Sequence, residues 1–485
     1  MALKGIPEMA GGCLLGYVTL YLLEQPADTL LYFIVSWCGL FGSFLFPNRF
    51  QISIILLIIS ISIGRPFYFG EISSMHKGGA LSPTEFYLSD FWLLVLVGYR
   101  LFDVKARFLI HQQWWRIDFA IVMLLVWCIF SAIASDHRFL GFAEVIKMLK
   151  VTLLYFLISR IREKSDIVTL CIGLLVALIL QSTMVAYLYF GGEMPFNLFQ
   201  NVDIEEVSEF EARRIGSTLG GSASVAMFFE LLIPIAFSLY LCKVGSVYYK
   251  GVIIIVTLLA FGAMSCTFSR TGLATLCVSI LTFSWYIIKC KGLGISLLKL
   301  MLGISILVPM LGVYVASILP RLDRDYLDRS KEYRAIYNEI AELMVYDNPI
   351  VGVGLNSFYE NVQRYGGYRI ANMELYGVHN VYLAFAAEAG LPCILILIWI
   401  YIESFLLAKR SMVSTHLFIK ALSGGILAAI TGLFFVSNNM EMGFKYAVPI
   451  WWYLWILLGI LVAISKFDQQ SLNIRSFDWA QRNKR

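Results

Sequence analysis

Residues Asn348 to Pro392 read NPIVGVGLNSFYENVQRYGGYRIANMELYGVHNVYLAFAAEAGLP, a polar, glycine-punctuated passage in an otherwise largely apolar chain. It opens on Asn348-Pro349, a turn signal, because the residue before a proline is driven out of the helical region. Gly352 and Gly354 follow, positions where a backbone turns tightly or lies close against something else. A tyrosine-rich stretch then leads to His379-Asn380, and a long apolar helix is expected immediately after it. A histidine at the mouth of a membrane helix, behind a polar loop, is the first place to look for proton transfer near neutral pH.

The surrounding chain sets the fold class. Of its 485 residues 59% are hydrophobic and only 15% are charged, with a mean hydropathy of +0.75. A soluble domain carries about a quarter charged residues. Apolar runs, about 14 in number and each near the length that crosses a bilayer, are expected at 9–24, 29–46, 51–66, 86–102, 117–135, 143–161, 166–190, 218–242, 250–268, 271–289, 294–318, 380–408, 416–437 and 446–466. The run at 143–161 is the weakest, because Glu144, Lys147 and Lys150 sit in its first half. The first run shows no cleavage site of small residues and is read as a retained span. The expectation is an all-α polytopic membrane protein, a bundle of about 12–14 transmembrane helices with one large loop.

Charge gives the orientation. Arg49, Lys105, Arg107, Arg116, Arg160, Arg162, Lys164, Lys243, Lys250, Lys289, Lys291, Lys409 and Arg410 all fall in one set of loops if the spans alternate. By the positive-inside bias that side is cytoplasmic, together with both termini. The opposite face then carries the loop at 67–85, the loop at 191–217, the Ser269-Arg270-Thr271-Gly272 turn, the large loop at 319–379 and Ser437 to Lys445. Within the large loop an amphipathic helix is expected from Lys331 to Tyr346, with Ile336, Ile340, Leu343 and Met344 along one stripe.

Several classes find no support. The nine cysteines form no CxxC pair and read as small core hydrophobes. There is no P-loop, GxGxxG or zinc spacing, and the net charge of +5 resides in loops and gives no indication of nucleic acid. Without inverted symmetry between the halves, a polysaccharide or lipid-linked sugar transporter remains a distant alternative.

On the outer face His379 stands with a group of arginines: Arg213, Arg214, Arg270, Arg321, Arg324, Arg329 and Arg334. His379 has a plain alternative, a helix-leading residue satisfied by backbone. Arg213 and Arg214 have acidic neighbours in Glu205, Glu206, Glu209 and Glu211, and ion pairing alone would account for them. Arg270 has no acid beside it, and a charge between two apolar runs is costly unless it faces a cavity or an anion. Several arginines on one site suit a diphosphate, which their planar forks grip well. Glu230 and Glu388 fall inside expected spans and need partners, for which a salt bridge to an arginine is the simple reading. No divalent metal site is expected in the outer loops, although Asp323-Arg324-Asp325 has the DxD spacing.

Together these residues resemble the O-antigen ligase and O-antigen polymerase proteins of bacterial envelopes. The likeness covers residues 210–435 and rests on Arg214, Gly216 and Pro234; Ser269-Arg270-Thr271-Gly272; Arg334; Asn348-Pro349 with Gly352, Gly354 and Phe358; and His379-Asn380, Leu383, Glu388 and Gly390. The resemblance implies a metal-independent, cofactor-free, inverting glycosyltransferase of the inner membrane, working on its periplasmic side. The donor would be a glycan on undecaprenyl diphosphate and the partners a glycan acceptor, membrane lipids, a chain-length regulator and a flippase. Carried over by residue, His379 would be the catalytic base, and Arg214 and Arg334, with Arg270 and Arg213, would hold the diphosphate. Asn380, Gly352, Gly354 and Glu388 would support them. The implied division is an N-terminal helical region at 1–190, the ligase/polymerase-like membrane domain at 191–466 and a cytoplasmic tail at 467–485. Polymerisation of repeat units is the leading activity, and ligation of finished glycan to lipid A-core the alternative. Three departures stand out: Arg213 directly precedes Arg214, so either could be the functional one; the tryptophan often found shortly after the loop arginine is absent, with Tyr337 nearby; and Cys393 stands where the ligase pattern has a small or hydroxylated residue.

Overall fold

The computed structural model describes residues 39, 48–64, 66–68, 85–102, 114–192, 204–207, 212–242, 247–290, 324–370, 378, 380–436 and 450–482. The expected spans at 9–24 and 294–318, nearly all of that at 29–46, and the loop at 437–445 lie outside these residues. The elements, in order, are α1 (Arg49–Ile63), the ribbon β1 (Pro66–Tyr68) and β2 (Glu85–Tyr87), α2 (Leu88–Phe102), α3 (Arg116–Ala134), α4 (Arg138–Ser159), α5 (Lys164–Tyr189), the ribbon β3 (Ile204–Val207) and β4 (Ala212–Ile215), α6 (Ser222–Leu241), α7 (Val247–Cys266), α8 (Arg270–Lys289), α9 (Arg324–Asp347), α10 (Phe358–Gly366), a 3-10 turn (Gly367–Ile370), α11 (Val381–Ala389), α12 (Leu391–Ser411), α13 (Leu417–Val436) and α14 (Ile450–Arg482). Both ribbons are antiparallel.

Among the described residues eight helices are long and apolar enough to cross a membrane. The protein is an all-α polytopic membrane protein. α4 is helical despite its charges because they are paired. Lys150 Nζ reaches Asp90 Oδ2 of α2 at 2.7 Å, and Lys147 Nζ lies 3.2 Å from Glu144 Oε2. A charge inside a bilayer persists where it turns inward and finds an opposite. Toward the C-terminal end of this helix Tyr155 donates to Asp118 Oδ1 at 2.6 Å, and Lys466 of α14 donates to Ser159 O at 3.1 Å, joining α3, α4 and α14.

α13 packs against α6 and α8 through glycines. A Cβ on Gly424 would press on the Tyr286 ring, one on Gly425 would lie 2.8 Å from Pro234 O, and one on Gly432 would strike Ser279. Small residues let membrane helices approach this closely.

Two expectations change. The apolar run at 380–408 is two helices, α11 and α12, separated at Gly390, whose φ is +80°. Pro392, in the first turn of α12, cannot donate to a preceding helical turn and disfavours helical geometry before it. The loop helix α9 does present an apolar stripe, but Tyr337, Ile340, Ala341 and Met344 are buried while Leu343 is 40% exposed. The buried stripe is set by what covers it: α10 and α11 close over the Tyr337 side and leave Leu343 outside.

Candidate active site

α11 is a short helix gripped at both ends. At its start Asn380 is the N-cap: Oδ1 accepts from Tyr382 N at 3.0 Å and from Leu383 N at 3.2 Å. The first turn of a helix leaves its amides open, and an asparagine in this position satisfies two of them here. At its end the carbonyls of Ala387, Glu388 and Ala389 are taken by other elements, while that of Ala386 accepts from Gly390 N. Val353 N donates to Ala387 O at 2.8 Å and Gly354 N to Glu388 O at 3.0 Å, and just beyond the helix Leu391 N donates to Pro349 O at 2.8 Å. From α3, Ser131 Oγ donates to Glu388 O at 2.8 Å and Trp127 Nε1 to Ala389 O at 2.7 Å.

The glycines are required by this closeness. Gly352 and Gly354 have φ of +68° and +110°. A Cβ on Gly352 would land on the Glu388 carbonyl, one on Gly354 on the Ser135 side chain, and one on Gly390 on the Ile350 carbonyl oxygen. Backbone lies directly on backbone, which only a residue without a side chain permits.

Glu388 completes the clasp. It is buried, and its carboxylate accepts from Phe358 N at 2.8 Å through Oε1 and from Asn356 N at 3.0 Å through Oε2. Asn356 itself sits at φ +56°, a left-handed position that asparagine tolerates better than most residues. Glu388 therefore shapes the 352–358 loop through main-chain amides, contacts that the salt-bridge reading did not foresee. Ser135 Oγ and Ser357 Oγ, 3.0 Å apart, tie the same loop to the end of α3.

Above the clasp, α9, α10 and α11 share a small core of Tyr337, Ile340, Met344, Phe358, Val362 and Ala387, which also buries Val378. His379 lies outside the described residues. Its neighbours are Val378, in this core, and Asn380, the cap of α11. Arg334 is exposed on α9. It precedes Tyr337 by three residues and Ala341 by seven, so it prolongs the buried stripe by one turn beyond its cover. The structure thus gathers Gly352, Gly354, Asn380 and Glu388 into one unit and sets Arg334 on a helix packed against that unit.

Arg324 and Arg329 also lie on α9 and Arg321 lies outside the described residues, while Arg270, Arg213 and Arg214 belong to other elements. Arg270 is exposed and is the first residue of α8, after the N-cap Ser269, whose Oγ accepts from Gly272 N at 3.1 Å. α8 packs with α6 and α13. Arg213 and Arg214 lie on β4, opposite Glu206 and Glu205 respectively. Neighbouring strand positions belong to opposite faces of a ribbon. The base of this ribbon is fastened by a buried network: Gln181 Nε2 donates to Ser62 O at 2.7 Å and to Thr218 Oγ1 at 2.9 Å, and Thr218 Oγ1 donates to Ser62 O at 2.7 Å.

Residues 254–398 match the O-antigen ligase family. The match covers less than a third of the chain. The O-antigen ligase segment runs from within α7 to within α12 and so contains Arg270, Arg334, Gly352, Gly354, His379, Asn380 and Glu388, with Arg213 and Arg214 outside it. No curated protein matches the chain.

Sequence reasoning missed Trp127, Ser131 and Ser135, which reach into the O-antigen ligase segment from α3. A signal was present: the three recur every four residues along an apolar helix, which puts donors on one stripe.

Proposed function

We propose that this protein is a membrane glycosyltransferase that polymerises undecaprenyl-diphosphate-linked repeat units into exopolysaccharide or O-antigen on the periplasmic side of the inner membrane. The observation that carries the reading is the clasp. It pins α11, whose cap Asn380 directly follows His379 in the chain, beside the helix that bears Arg334. In the reaction the acceptor hydroxyl oxygen bonds to the anomeric carbon while the bond from that carbon to the diphosphate oxygen breaks, with inversion. His379 takes the hydroxyl proton. The lipid diphosphate leaves with its charge met by Arg334 and Arg214, with Arg270 as a further donor. A diphosphate is already a good leaving group, so positive charge on it and a base at the nucleophile are the terms that the protein must supply. The same chemistry with lipid A-core as acceptor is the second reading, and the family match serves both alike.

The test is turnover of a purified lipid-linked donor by His379→Gln, with donor binding measured alongside. Loss of a positioned base lowers turnover by about 10²–10⁴-fold, and binding is expected to persist because the arginines make that contact. Near-normal turnover would remove His379 from the mechanism. Product analysis separates the readings: longer lipid-linked glycan indicates polymerisation, and glycan joined to lipid A-core indicates ligation.

A further inference from the structure

The lipid-facing side of α12 is a stripe at helical spacing. Leu391, Leu395, Ile398 and Ile402 are all exposed, Leu395 at 66%. In a membrane protein such a stripe meets acyl chains, and Leu391, first in the apolar run, marks where the helix enters the bilayer. The clasp fixes another segment at that same level. Leu391 N donates to Pro349 O, and Gly390 lies directly against the Ile350 carbonyl. Ile350 is 63% exposed beside the start of the stripe. Its apolar surface continues the lipid-facing surface of α12.

From Ile350 the exposed surface runs back onto α9. Tyr346, at 84% exposure, and Leu343 precede Ile350 by four and seven residues, and Glu339 and Glu332 continue the same stripe at helical spacing. The stripe therefore grades from two exposed acids to leucine, tyrosine and isoleucine toward the α12 end. Asp347, beside Tyr346, takes a hydrogen bond from the Tyr365 hydroxyl of α10. A tyrosine with an apolar ring and polar tip suits the headgroup region, and an aliphatic side chain suits the layer just below it.

We infer that Leu343, Tyr346 and Ile350 dip into the outer leaflet of the bilayer, so that the C-terminal end of α9 rests on the lipid while its N-terminal end rises into water. The occupant of this face is the phospholipid surface itself. The contact holds the α9–α11 unit, and Arg334 with it, at the height of lipid headgroups. It rests on the exposure gradient and the link to α12, whether or not the proposed reaction is right.

The experiment places a benzophenone amino acid at 350, 346, 343 or 339 in the full chain, reconstituted in phospholipid vesicles and irradiated. Mass spectrometry is expected to find phospholipid adducts at 350 and 346, fewer at 343 and none at 339. As a second measurement, Ile350→Trp is expected to gain emission that brominated phospholipid quenches relative to the unsubstituted protein. These positions are exposed, so folding is not at stake. Absence of lipid adducts at 346 and 350, or adducts to a second copy of the chain instead, would overturn the inference, as would equal yield at 339.

Discussion

The transmembrane bundle and the α9–α11 unit are both held by close approach, yet they achieve it differently. In the bundle, α13 presents glycines to the sides of α6 and α8, and each meets a side chain or a single carbonyl of a helix with ordinary backbone angles. An added methyl there is met first by side-chain atoms, the Tyr286 ring at Gly424, Ser238 Cβ at Gly425 and Ser279 Oγ at Gly432. In the clasp, the glycines hold left-handed angles, Gly352 and Gly390 lie on the main chain they face and Gly354 on Ser135, while amides and carbonyls on both sides are already committed to each other. Such a clasp leaves Arg334, on the helix packed against it, at an exposed position.

The sharpest way to break that contrast is Gly390→Ala. The added carbon overlaps the Ile350 carbonyl at a φ of +80°, and strain of both kinds is expected to cost about 3–5 kcal/mol, the range of the most damaging single changes. Thermal unfolding in detergent reads it. Stability within error of the unsubstituted protein would show that the clasp gives as readily as the bundle does.

Glu388→Gln is the intermediate case. The two carboxylate oxygens serve two amides, whereas an amide side chain offers one acceptor and turns donors toward the other N–H. A buried donor left unsatisfied costs about 1–3 kcal/mol. Loop 352–358 is expected to open, and faster hydrogen exchange at the Asn356 or Phe358 amide, with α3 unchanged, would mark the opening as local.

Arg334→Ala sharpens the comparison from the other side. Its exposed side chain lies beyond the cover of the α9 stripe, so stability is expected to change by no more than about 0.5 kcal/mol. Polymer formation would nonetheless fall steeply, since losing a charge-assisted contact to a bound diphosphate costs about 2–5 kcal/mol. A large drop in melting temperature together with retained activity would reverse the roles assigned here to arginine and clasp.

Much of the fold was legible because its signals are local. Apolar run length places α3, α5 to α8 and α13 within a few residues of their observed ends, since a bilayer imposes that length on any span, whereas α14 continues to Arg482, well past the apolar run at 446–466. Asn380, expected only as a support for His379, is the N-cap of α11. The break at Gly390-Leu391-Pro392 was in view and was passed over, because the apolar runs on either side concealed the proline's effect.

What the sequence determined by itself, then, was the membrane class, the position of the spans and the candidate arginines and histidine, all of which follow from the chemistry of residues taken singly or in short runs. Only tertiary structure decided that Glu388 accepts main-chain amides, that Tyr337 is inside and Leu343 outside, that Arg213 and Arg214 fall on opposite faces of a ribbon, and that α3 supplies Trp127 and Ser131 to a helix more than 250 residues away. The physical reason is that a buried polar group takes whichever partner the packing brings within hydrogen-bond distance. Those partners lie on other elements, and no local pattern names them.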